Sequence, residues 1–225
     1  MKTISIACGA MMLSTSAMAG IDISIEKDVL EVGVNASVTD NTYLFIGGDT
    51  DGWVGIGIGY HQFLDREWKA NIYYEYGLEE EWLLNELANI DGAKTHNHLF
   101  ELSATRYLEN YSTKLGITTE LVRNGFTWLT VDNANKYSMY MGVSYYLKHV
   151  YLSTKYEHYI AVDKSDMQNF NQGHANIWEF SLGTIKSFYN FFPYVKVSVF
   201  DPNGTYYGLS NSDVTLSING TFSFR

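Results

Sequence analysis

One cysteine and two prolines occur in 225 residues, and charged residues make up only 18%. A single thiol cannot build a disulfide framework or a cysteine-based zinc site. Scarce proline leaves extended segments free of ladder breaks. Basic residues are short as well: 15 Lys and Arg stand against 25 Asp and Glu, giving a net charge of -10 with no cationic run able to track phosphates. This argues against a basic nucleic-acid binder. Beyond the N-terminal segment nothing approaches the roughly 18 uninterrupted apolar residues of a membrane-spanning helix. What is abundant is 46% hydrophobic content, 16% aromatics, 19 glycines and 18 tyrosines, too much apolar surface for a disordered chain.

The N-terminus opens with Met1-Lys2-Thr3, runs through a mostly apolar Ile4 to Leu13, and reaches the small-residue site Ala17-Met18-Ala19. This order predicts a secretory signal peptide over residues 1–19, cleaved after Ala19. Cys8 lies inside it, so the exported chain, residues 20–225, carries no thiol.

From there the sequence alternates with period two. Val214, Leu216, Ile218, Gly220, Phe222 and Phe224 share one parity, and Thr215, Ser217, Asn219, Thr221 and Ser223 the other. Successive side chains of a strand point to opposite faces, so one face is apolar and the other small and polar. Met139-Met141-Val143, Ile72-Tyr74-Tyr76, Val54-Ile56-Ile58, Leu115-Ile117 and Val195-Val197-Val199 repeat the pattern. A soluble sandwich would carry abundant Lys and Glu on its polar face. Here that face is mostly Ser, Thr, Asn, Gly and Tyr, as suits the interior of a membrane barrel. Runs of about 10 to 13 residues match a tilted transmembrane strand, and Tyr and Trp gather near the run ends as interfacial girdles.

Tight connections fall near Asp40-Asn41, Leu64 to Glu67, Glu109-Asn110, Lys148-His149 and Tyr189-Asn190. Longer polar ones fall near Asp49 to Gly52, Leu84 to Thr95, Asp132 to Lys136, Asp163 to Gly173 and Asp201 to Ser212, where Pro202 sits. Short periplasmic turns alternating with longer extracellular loops are the rule in outer-membrane barrels. Eleven strands are visible from Leu30 onward, and Ile21-Ile23-Ile25 supplies a short first one, followed by a turn or bulge at Lys27 to Val29. The expectation is all-β: a single up-and-down antiparallel transmembrane β-barrel of about 12 strands, with 10 as the alternative.

The chain resembles a small Gram-negative outer-membrane β-barrel, porin-like in pattern, on its signal, its alternating segments and its final Phe222-Ser223-Phe224. Ile23-Ser24-Ile25, Val32-Gly33-Val34 and Gly55-Ile56-Gly57-Ile58-Gly59-Tyr60 are similar to the opening hairpins of YfaZ-type barrels. Two departures stand out: Arg225 follows the terminal aromatic, and Gly220 takes the place of the glycine usual at position 219. The resemblance implies an outer-membrane location, with outer-membrane lipid, lipopolysaccharide and the assembly machinery as partners, and no established activity.

Ten charged residues fall on the inward parity: Glu31, Lys69, Glu75, Glu79, Glu101, Lys114, Glu120, Lys155, Glu157 and Lys196. They either line a narrow charge-selective pore or pair across the lumen and plug it. Gly55, Gly57 and Gly59 leave one strand face bare, to widen a channel or to receive Tyr side chains. Glu79 to Ala88 reads as a short extracellular helix whose glutamates are either solvated or hold divalent cations. His96 and His98 share a face without further ligands at metal spacing, and Asp49-Thr50-Asp51-Gly52 reads as a turn rather than a calcium loop. Ser153, Glu157 and His158 do not share a face, which argues against a hydrolytic trio. The function expected is a narrow channel for small solutes or ions. The alternatives are a plugged barrel acting through its extracellular loops and, third, a lipid-modifying enzyme. No cofactor, metal or nucleic acid is expected.

Overall fold

The computed structural model describes residues 19–80, 94–124, 134–161, 173–203 and 211–224. They form twelve strands: β1 (Ala19–Glu26), β2 (Val29–Ser37), β3 (Thr42–Asp49), β4 (Trp53–Phe63), β5 (Trp68–Glu80), β6 (Lys94–Tyr107), β7 (Tyr111–Asn124), β8 (Ala134–Tyr146), β9 (Val150–Ala161), β10 (Gly173–Thr184), β11 (Phe191–Asn203) and β12 (Asp213–Phe224). Each pairs antiparallel with its sequence neighbours, and β1 pairs with β12 to close the barrel. Closure leaves no sheet edge, so every strand finds backbone partners on both sides, the condition for crossing hydrocarbon.

The alternation expected from the sequence decides which way each residue points. Ile56, Ile117, Met139 and Leu216 lie outward and keep 53%, 56%, 58% and 60% of their surface exposed. A water-soluble protein would not leave so continuous an apolar surface uncovered; a bilayer covers it. Arg106, which interrupts the apolar row of β6, lies at the end of that strand beside the short turn. There it pairs with Glu67 at 3.0 Å and its guanidinium lies over Trp68 at 5.7 Å, an arrangement suited to the interface.

The five tight connections fall where expected, at the end that also holds both ends of the described chain. The last of them has Tyr189 and Asn190 at φ 52° and 65°, closed by reciprocal bonds between Phe188 and Phe191. Two consecutive left-handed residues are the requirement of a tight type I′ hairpin. Lys27, at φ 51°, turns the chain between β1 and β2, and Val29 is already in β2.

The other end corrects several expected boundaries. Asp49, Thr95, Lys136, Gly173 and Asp201 to Asn203, read as loop, continue their strands, and Glu79 and Glu80 belong to β5 rather than to a helix. A hydrogen-bonded ladder continues beyond the apolar belt whatever the side chains are, so polarity marks the belt's limit and not the strand's. Pro202 is in β11 opposite Ala175, not in a loop. It lies close to the strand end, where a missing N–H costs little. The remainder of the expected helix, and residues 84–93, 132–133, 163–172 and 204–210 of the expected loops, lie outside the described residues.

Candidate functional site in the barrel lumen

Inward positions carry most of the polar chemistry, and the two sides of the barrel differ. On β6 to β11 cations and carboxylates are interleaved. Lys114 Nζ lies 2.9 Å from Glu101 Oε1, and the Tyr140 hydroxyl donates to the same oxygen at 2.6 Å. Lys136 pairs with Glu120, which also accepts from Asn97 at 2.8 Å. Lys155 joins Glu157 at 2.5 Å to Glu179 at 3.7 Å, and Lys196 lies 3.4 Å from the other oxygen of Glu179. Ser138 donates to Glu157 at 2.5 Å. The ammonium groups of Lys114 and Lys155 both lie over the Tyr140 ring, 5.1 and 4.8 Å from its centre.

On β12 and β1 to β5 the inward face is glycine, aromatic rings, small polar side chains and carboxylates, with Lys69 on β5 among them. Asp22 accepts from Thr221 at 2.5 Å and from Asn35, tying β12, β1 and β2 together across the closure. Glu75 accepts from the Tyr73 hydroxyl at 2.6 Å. A side chain added at Gly55, Gly57 or Gly59 would strike the ring of Trp53, Tyr73 or Tyr43, so the bare strand receives aromatic rings.

Of the ten charges expected in the lumen, the structure brings Glu101 together with Lys114, and Lys155 with Glu157. It joins Glu120 to Lys136 and Lys196 to Glu179, partners the expectation omitted. Glu31 lies on β2 and Lys69 on β5, both half-buried, with Lys69 Nζ 5.8 Å from the Phe63 ring centre. Glu79 is in β5, but its side chain lies outside the described residues. Lys136 was hidden by its polar neighbours. Glu179 was hidden because Ala175 and Ile177 share its parity, so β10 reads as apolar on both faces. Asp22 shows the inward parity in the sequence, but its strand is short.

His96 and His98 point outward, each with its Nδ1 bonded to a tyrosine hydroxyl, that of Tyr76 at 2.6 Å and Tyr74 at 3.0 Å. In the turn before β4, Asp49 accepts from the backbone N–H of Asp51 and Trp53 at 2.9 and 3.0 Å, and Gly52 has φ 99°. These are turn contacts. Ser153 faces inward against Ser144 at 3.0 Å, whereas His158 faces outward against Asn176 at 2.8 Å. The two cannot act on one bond.

Comparison with known protein families matches none, and comparison with curated proteins matches none. The YfaZ-type resemblance therefore rests on the residues quoted above alone. Among solved structures the chain is similar to the KdgM porin, at 11% identity and a TM-score of 0.59, also solved in complex with disordered oligogalacturonate. It is similar to the NanC porin at 13% identity and a TM-score of 0.58. Each alignment covers 92% of this chain and 99% of the porin. LpxR from Salmonella typhimurium matches over the same shares at 7% identity and a TM-score of 0.52. The fold is that of a porin-like outer-membrane β-barrel.

Proposed function

We propose that this chain is a narrow outer-membrane channel for small solutes and ions, preferring cations and uncharged solutes to anions. The observation that carries the reading is exposure inside the wall. The side chains of Lys114, Lys196 and Lys155 keep 22%, 17% and 15% of their surface accessible while pointing inward, where only the lumen can supply solvent. Twelve strands enclose more space than the eight-stranded barrels whose interior side chains fill.

The sign of the preference comes from the pairing. Lys114, Lys136, Lys155 and Lys196 each sit beside a carboxylate, while on the other side Asp22, Glu31 and Glu75 outnumber Lys69 and leave a negative excess. Oligogalacturonate, the molecule with which the KdgM porin was solved, is a polyanion. The neutralised lysines here support a different solute.

The packed region around Glu157, Glu179 and the apolar cluster Tyr159, Ala161, Ala175 and Ile177 favours a second reading. On that reading the barrel is closed and acts through its outer surface and loops, in contact with lipid and lipopolysaccharide. The opposed faces of Ser153 and His158 speak against a lipid-modifying enzyme built on them.

Single-channel recording in a planar bilayer separates the first two. A conducting pore with a cation-preferring reversal potential in a salt gradient is expected, with Glu75→Gln weakening the preference and Lys114→Gln strengthening it. Silence, or an anion preference, overturns the proposal.

A further inference from the structure

The glycines of β2 to β5 make room for a file of aromatic rings that no ionic argument requires. Trp53, first residue of β4, stands at the extracellular end with its ring centre 6.3 Å from that of Phe45. One inward step down β3 is Tyr43, stacked on Tyr73 at 6.0 Å with the planes 9° apart. Tyr43 is 6.3 Å from His61, which is 6.4 Å from Phe63. Phe63 closes the file 6.3 Å from Tyr107, at the periplasmic end of β6. The rings therefore follow the wall from one mouth to the other.

Their seats are specific. The Phe45 ring occupies the space where side chains of Gly33 and Gly47 would stand, Trp53 that of Gly55 and Gly77, Tyr73 that of Gly57, and Tyr43 that of Gly59. Tyr73 is held by its bond to Glu75, and Tyr43 donates to Asn71 at 3.3 Å. Trp53, Phe45, Tyr43 and Tyr73 remain partly exposed, and from inward positions that exposure is to the lumen. Across from them stand the carboxylates, ammonium groups and hydroxyls of β6 to β11, neutralised in pairs but with lone pairs and N–H groups to offer.

We infer that this file is a sliding track for an uncharged oligosaccharide. A sugar ring is amphipathic in the same sense as the lumen. Its axial C–H face suits the electron-rich face of an aromatic ring, and its equatorial hydroxyls suit a polar wall that need not surrender an ion pair to bind them. The paired rings stand 6.0 to 6.4 Å apart, and Tyr43 follows Phe45 two residues along β3, so each sugar unit can leave one face as it meets the next. A polyanionic oligosaccharide would meet the same rings but would be opposed by Glu31 and Glu75. The inference rests on the channel reading above and names its solute.

The experiment adds maltohexaose to the conducting wild-type channel and to the Tyr43→Leu/Phe45→Leu variant, which keeps apolar bulk and removes the ring faces. Heat-dependent gel migration verifies folding of both. Expected are transient current blocks in the wild type and a half-blocking concentration raised about tenfold in the variant. Blocks by trigalacturonate are expected to be weaker than those by maltohexaose. A conducting wild-type channel that maltohexaose does not block, or a variant blocked as well as wild type, overturns the track and leaves the channel standing. If no variant conducts, titration calorimetry of the detergent-solubilised barrel with maltohexaose decides. Ring-dependent binding then upholds the rings as the sugar site while the channel reading, and sliding with it, falls, and no binding sinks both.

Discussion

The Tyr140 hydroxyl on β8 reaches Glu101 on β6, at 2.6 Å, across the whole width of β7. It can do so because Gly116 lies between them. A Cβ at that position would collide with the Tyr140 ring. The ring occupies the groove the glycine leaves, and its hydroxyl and Lys114 share one carboxylate oxygen. Gly116→Ala is therefore expected to lift the ring, break the Tyr140–Glu101 bond and destabilise the barrel by about 1–3 kcal/mol. Urea unfolding in lipid vesicles measures the loss. Stability equal to wild type would mean that the ring can move aside without cost.

Lys155 links the two most buried carboxylates among the described residues, Glu157 and Glu179, the first only 3% exposed. Removing one member of such a group leaves charge without compensation. Lys155→Met is expected to cost about 3 kcal/mol or more, and adding Glu157→Gln should restore much of it. The double-mutant cycle reads this directly. A double variant no more stable than Lys155→Met alone would show that the methionine disturbs packing rather than charge.

Asp22 makes the corresponding test of the closure. It receives hydrogen bonds from β12 and β2 together, through Thr221 and Asn35. Asp22→Leu strands both donors at the seam and is expected to cost about 1–3 kcal/mol. The loss should appear as a lower temperature for disappearance of the folded gel band. Asp22→Asn, which keeps an acceptor oxygen, should lose less.

The strand count and the facing of almost every residue were legible in the sequence because lipid imposes one rule on the whole outer surface. Ile72, Ile117, Met139 and Leu216 all answer to the same solvent, so period two shows through. The lumen has no such uniform rule. Which lysine meets which carboxylate depends on register: Glu101 and Lys114 come together only because β6 and β7 pair Glu101 with Thr118 and Thr105 with Lys114. Glu179 stayed hidden beneath Ala175 and Ile177, and Lys136 beneath its polar neighbours. The glycines of β4 were visible, but the rings that fill them come from β3 and β5 as well, and only pairing brings those together.

The membrane reading itself is open to a test on adjacent residues. Ile117 and Thr118 differ by one position in the middle of β7, one outward and 56% exposed, the other inward with its hydroxyl 2.6 Å from Ser138. In lipid, Ile117→Arg places a charge near the hydrocarbon midplane and should cost about 2–4 kcal/mol. Thr118→Ala loses one hydrogen bond, worth about 1 kcal/mol. In water the order would reverse, because an arginine at an exposed isoleucine position is close to neutral. Equilibrium unfolding of both variants in phospholipid vesicles gives the order. A harmless Ile117→Arg would remove lipid from that face and, with it, the reason this outer surface is apolar.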